Sequence, residues 1–123
     1  IRYLYYYLYD KLIECNGLKS LRYIREHFSE PITVEMLAQL ENYNVSHFTD
    51  WYKKKTGQKP SAYLRQVRLE KAKELLQTTH YRMIEIAMQV GYNSNASFCR
   101  AFKEAEGISP ISYRLQWEKE NKS

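Results

Sequence analysis

Apolar residues recur every three or four positions along almost the whole chain. Nowhere do they alternate for long, so the pattern predicts helices and no strands. Ile1, Leu4, Leu8 and Leu12 form one helical stripe within residues 1–15, which Asn16-Gly17 would end. Leu18, Leu21, Ile24 and Phe28 predict an amphipathic helix over 18–28, broken by Ser29-Glu30-Pro31. Thr33 is a suitable N-cap for a helix over 34–41, and Glu35 suits the positive end of its dipole. Its stripe of Val34, Leu37 and Ala38 is apolar except at its end, Glu41.

Asn44 caps the next predicted helix, 45–56, which Gly57 stops. Pro60 then takes the first position of a long helix to about Leu76, with Leu64, Val67, Ala72, Leu75 and Leu76 on its buried side. After the polar break Thr78-Thr79-His80 the order of elements repeats. Met83, Ile86, Ala87 and Val90 predict a short helix, and Gly91 permits a tight turn. Asn93 or Ser94 caps a helix to Glu106, Gly107 ends it, and Ser109-Pro110 starts a last helix to about Glu118. The charged tail should fray.

The repetition extends to the wording. FTDWYKKKTGQKPSAY, residues 48–63, agrees with FCRAFKEAEGISPISY, residues 98–113, at Phe48/Phe98, Lys53/Lys103, Gly57/Gly107, Pro60/Pro110 and Tyr63/Tyr113. Each copy reads as short helix, tight turn, second helix, Gly stop and Pro-started helix. Short helix, turn and second helix make a helix-turn-helix unit, whose second helix fits the major groove of DNA. The expected fold is therefore all-α. A helix over 1–17 precedes one subdomain at 18–60, a connecting helix at 61–77, a second subdomain at 78–118 and a frayed tail at 119–123.

At 123 residues the chain holds one ordinary domain or two very small ones. Its net charge of +5 favours a polyanionic partner, and the distribution sharpens this. Residues 29–50 contain four acids and no Lys or Arg; residues 53–73 contain eight basic residues against Glu70 alone. Such a run is either a solvated helix face or a surface that contacts phosphates. Cys15 and Cys99 are isolated, with no metal spacing and no cofactor motif, and fit a reducing cytoplasm. No apolar run approaches the roughly 20 residues of a membrane span. No signal peptide is visible, but the chain starts at Ile1 and reads as a possible fragment.

From about Leu18 to Arg114 the chain resembles the DNA-binding domain of AraC/XylS-type transcription regulators. The most specific part is IEIAMQVGYNSNASFCRAFKEAEGISPISYR, 84–114, with Tyr92 where the family has Phe; YLRQVRLEKAKELL, 63–76, matches the family's linker. The resemblance implies seven helices in two subdomains joined by the long fourth helix. Two recognition helices, here 45–56 and 94–106, would enter successive major-groove segments of double-stranded DNA. One turn of the duplex is about 34 Å, so one rigid monomer can read two sites a turn apart.

By that register Val45, Ser46, Thr49 and Asp50 face the groove from the first recognition helix, and Asn95, Ala96, Ser97, Cys99 and Arg100 from the second. Arg100 suits guanine O6 and N7, against the alternative of a phosphate contact or an ion pair with Glu104. Asn95 suits adenine, or supports the cap. Asp50 is a departure, because family members often have Arg or Lys there. It repels phosphates but can accept from cytosine N4, while Val45 or the Thr49 methyl can touch a thymine methyl. An asymmetric reader is expected, with the first unit docking mainly through Lys53, Lys54 and the basic run. Phosphate contacts are assigned to Lys53, Lys54, Lys59, Arg65 and Lys103. The resemblance gives Arg68 a structural role between subdomains, paired with Glu41 or Glu85.

Residues 1–15, with five tyrosines between positions 3 and 9, form either a helix lying on this domain or a linker or dimerisation helix. Partner classes are therefore duplex DNA, a second copy or another domain through 1–15, and RNA polymerase; no membrane is implied. Two other readings stay open at this point. One is a protein-interaction module using the tyrosine helix. The other is a thiol-dependent DNA-repair protein, for which only Cys15 and Cys99 are available.

Overall fold

A computed structural model of the chain describes residues 19–121. Among the described residues there are seven α-helices and no strand. They are α1 (Lys19–His27), α2 (Val34–Leu40), α3 (Val45–Thr56), α4 (Pro60–Thr78), α5 (Met83–Gln89), α6 (Asn95–Glu106) and α7 (Pro110–Glu120). The helix predicted over 1–15, and Cys15 with it, lies outside the described residues. Most predicted ends hold to within two residues. α4 runs to Thr78 rather than Leu76, and α7 runs to Glu120 rather than Glu118. There Asn121 closes the helix with its backbone N–H and its side-chain amide donated to the Trp117 carbonyl.

The chain divides into two compact units. One holds 19–27 and 32–64 of the described residues; the other holds 28–31 and the residues from 65 onward. In the first, α1 packs on α2 and α2 on α3. Leu21, Ile24, Leu37, Ala38, Phe48, Tyr52 and Tyr63 are its buried apolar residues. Trp51 is only half-buried and tilts against Tyr43, ring centroids 5.2 Å apart. The polar end of the α2 stripe has a reason. The Glu41 carboxylate accepts the Ser20 hydroxyl at 2.8 Å and the Ser20 backbone N–H at 3.3 Å, an acid set at the N-terminal turn of α1.

In the second unit Leu69, Ala72, Leu76, Ile86, Ala87, Val90, Phe98 and Phe102 form one buried cluster, with Tyr92, Cys99 and Tyr113 packed at its edge. Arg114 closes the C-terminal end of α4: its guanidinium donates to the carbonyls of Leu76 (3.1 Å), Thr79 (3.2 Å) and Tyr81 (2.8 Å). Cationic donors suit that end, where the last carbonyls lack helical partners.

The two units repeat each other in backbone detail. In each, the helix before the turn ends in a Schellman motif, with Tyr43 N–H donating to the Ala38 carbonyl and Tyr92 N–H to the Ala87 carbonyl. The residue with positive φ is Asn42 (63°) in one and Gly91 (99°) in the other. The second turn is one residue longer, spanning 90–94 against 41–44. Asn44 then caps α3 and Ser94, rather than Asn93, caps α6. Gly57 and Gly107 end these helices at the same φ of 84°.

Candidate nucleic-acid interface

The buried faces of α3 and α6 fix which residues face outward. Phe48 and Tyr52 anchor α3, and Phe98 and Phe102 anchor α6, all fully buried. With those positions inward, 45, 46, 49, 50 and 53 project from one helix and 95, 96, 99, 100 and 103 from the other.

On α3, Val45, Ser46 and Asp50 are exposed and Thr49 is half-buried. The Thr49 hydroxyl donates back to the Val45 carbonyl at 2.9 Å. Asp50 has no ion-pair partner among the described residues, although Lys53 and Lys54 stand one turn away. His47 is exposed and packs edge-on against Tyr43, centroids 4.4 Å apart.

On α6, Asn95, Ala96 and Arg100 are exposed. Arg100 has no hydrogen-bond or ion-pair partner among the described residues. The ion pair with Glu104 that sequence allows does not form; Glu104 instead faces Arg65 at 3.9 Å, both well exposed. Ser97 belongs to the cap: its backbone N–H donates to Ser94 Oγ at 3.1 Å, and its hydroxyl donates to the Ser94 carbonyl. Cys99 is half-buried, its thiol donating to Asn95 Oδ1 at 3.4 Å, and burial pushes that thiol's pKa up. A raised thiol pKa leaves little thiolate at neutral pH, which disfavours a nucleophilic role.

Lys53, Lys54, Lys59 and Lys103 are exposed. Arg65 is exposed too, and its long pair with Glu104 is of the weak surface kind. The basic run 53–73 is, however, not one surface. Lys73 is buried at 5% exposure, with Nζ 2.7 Å from Glu70 and 3.2 Å from Glu106. Lys71 pairs with Glu74 at 3.3 Å.

Arg68 is structural, but neither Glu41 nor Glu85 is its partner. Its Nε donates to the Phe28 carbonyl at 2.7 Å and one Nη to the Glu30 carbonyl at 3.0 Å, and the guanidinium lies over the Tyr92 ring. Burial lowers the Arg68 pKa and raises that of the Tyr92 hydroxyl. Glu85 serves α5 instead, accepting from the Arg82 backbone N–H at 2.9 Å and from its Nε at 3.2 Å.

Sequence reading missed the work of Arg114 and Glu41. Arg114 closes the 84–114 motif, but nothing beside it in the sequence points to carbonyls 33 to 38 residues away. Among the described residues no His, Cys, Asp and Glu group is arranged to hold a metal, and no helix is long and apolar enough to cross a membrane.

The duplicated unit has a family counterpart: the model of a helix-turn-helix domain matches residues 37–116, about two thirds of the chain. The chain belongs to the AraC/XylS-type helix-turn-helix family. It is an AraC-type DNA-binding domain of the kind found in transcription regulators. It is 32% identical over 108 residues to the HTH-type transcriptional regulator YobQ of Bacillus subtilis, covering 88% of this chain and 44% of that protein. It is 31% identical to the MmsAB operon regulatory protein of Pseudomonas aeruginosa, covering 83% of this chain and 33% of that one. It thus spans less than half the length of these relatives.

Solved AraC-type structures agree. The C-terminal domain of AraT, a response regulator from Geobacillus stearothermophilus, matches with a TM-score of 0.76 and 36% identity, over 80% of this chain and 82% of that one. The DNA-binding domain of the global transcriptional factor AdpA, solved in complex with a target DNA, matches at 0.80 and 27% identity, over 84% and 93%.

Proposed function

We propose that this domain binds specific duplex sequences by inserting α3 and α6 into successive major-groove segments, as the DNA-reading part of a transcription regulator. The observation that carries the reading is the outer side of α6. Asn95, Ala96 and Arg100 stand exposed at its N-terminal end, and Arg100 is engaged by no described residue. A planar fork of donors left free on a helix seated by Phe98 and Phe102 suits a guanine edge. The second unit supplies most of the base discrimination. The first docks through Lys53, Lys54 and Lys59, with Val45, Ser46, Thr49 and Asp50 against its own bases. Lys103 and Arg65 add phosphate contacts beside α6.

The domain carries no reaction of its own and works by positioning other domains, a second copy or RNA polymerase on DNA in the cytoplasm. Residues 1–15 would serve the contact with a second copy or another domain. Selection of bound duplexes from a random pool tests the reading. A two-block motif about one turn (10–10.5 bp) apart is expected, and recovery of unrelated sequences would refute it.

A further inference from the structure

The two recognition helices correspond in length, cap position and glycine stop, yet offer different chemistry at equivalent sites. Where α6 has Asn95 and Cys99, linked by a thiol-to-amide bond of 3.4 Å, α3 has Val45 and Thr49. Val45 is one of the few exposed large apolar residues of the first unit, at 38% exposure. Thr49 lies one helical turn further on, and its only donor is used on the Val45 carbonyl. The hydroxyl's donor is thereby used within the helix, and toward a partner the side chain has only its methyl and oxygen lone pairs to offer. Two branched methyl-bearing side chains one turn apart, beside an unpaired carboxylate, form a short apolar strip without a hydrogen-bond donor of its own.

In the major groove one base edge is recognised by apolar contact, the C5-methyl of thymine. We infer that Val45 and Thr49 together make α3 a methyl reader, selecting thymine by its C5-methyl rather than by hydrogen bonds. The inference rests on the insertion of α3 proposed above. It concerns the strip alone and does not require Asp50 to touch a base.

Removing one methyl at a time from the DNA tests it. In the selected duplex each thymine of the α3 block is replaced in turn by deoxyuridine, which keeps every hydrogen-bonding group. At one or two positions the wild-type domain should bind about three- to tenfold more weakly, the value of one buried methyl. In Val45→Ser/Thr49→Ser, which keeps a hydroxyl able to bond the residue-45 carbonyl, the same exchange should change Kd by less than about twofold. A melting curve matching the wild type shows that this variant is folded. Equal wild-type affinity for thymine and uracil, a block selected without thymine, or a uracil penalty that survives in the double variant would each overturn the inference. Selection that returns no preferred duplex sinks the proposed function and this inference together. A two-block motif without a methyl penalty sinks the inference alone.

Discussion

Arg68 passes so close to Gly91 that a β-carbon built on Gly91 would stand 3.0 Å from its Nε and 3.0 Å from the Phe28 carbonyl that this Nε bonds. The turn before α6, the long helix α4 and the segment 28–31 thus meet at one point of the second unit. Gly91 is needed there for two reasons, its φ of 99° and the missing side chain.

Gly91→Ala should therefore destabilise the domain by about 2–4 kcal/mol, combining backbone strain with a displaced arginine. Gly107→Ala shares the positive φ but meets no atom within 4 Å, so it should cost only about 1 kcal/mol. Urea unfolding of the two variants checks the difference. Equal losses would mean that the close approach of Arg68 contributes nothing.

Lys73 reads in sequence as part of a phosphate surface and behaves in the structure as a buried ion. Its removal in Lys73→Ala takes away the buried ammonium that faces both Glu70 and the mostly buried Glu106, an expected loss of roughly 3–5 kcal/mol. Lys54→Ala, at an exposed position, should stay within about 0.5 kcal/mol. Thermal denaturation of both, read beside each other, decides whether the charge network is structural. A small loss in Lys73→Ala would assign Lys73 back to the surface.

These cases show where the sequence was readable. The caps at Thr33, Asn44 and Ser109 and the stops at Gly57 and Gly107 are local features. Each bonds within a few residues, so spacing alone exposes it. Arg68, Lys73, Glu41 and Arg114 find their partners 20 to 40 residues away, or inside a charge cluster, and side-chain type does not reveal that. α4 adds a second obstacle. Its buried positions change side along the helix, with Tyr63 on one side and Leu69, Ala72, Lys73 and Leu76 on another, so no single apolar stripe excludes Lys73 from the surface. The exposure of Val45, Ser46, Asp50, Asn95, Ala96 and Arg100 follows from the buried rings, which fix the rotation of both helices. The Thr49 hydroxyl's return to the backbone was not legible, since a threonine offers its hydroxyl and its methyl alike until a rotamer is chosen.

Glu85 gives the domain a pH dependence with a defined sign. Its carboxyl is held below the ordinary 4.5, first by the Arg82 backbone N–H and then by the Arg82 side chain. The folded state thus resists protonation of Glu85 more than the unfolded chain does. Its contribution is present in full above about pH 4.5 and is lost as pH falls through the lowered folded value. Glu85→Gln should flatten the decline of stability below that pH while leaving neutral-pH stability nearly unchanged in slope. Denaturant midpoints between about pH 3 and 6 test this, and parallel curves for the two proteins would remove Glu85 from the acid transition.

Arg100 and Lys53 should separate the two kinds of DNA contact. Arg100 offers an unengaged bidentate fork on α6, so Arg100→Ala should weaken binding to the selected duplex by about 1–3 kcal/mol and relax the preference for guanine at one position. Affinity for random duplex should fall far less, because non-specific binding depends on phosphate charge rather than on base edges. Lys53→Gln should do the reverse. It should weaken selected and random duplexes alike and lower the slope of log K against log salt by about one. Fluorescence anisotropy titrations across a salt series measure both quantities on the same proteins. If Arg100→Ala loses as much on random as on selected duplex, Arg100 is a phosphate contact, and base reading on α6 would fall to Asn95 and Ala96.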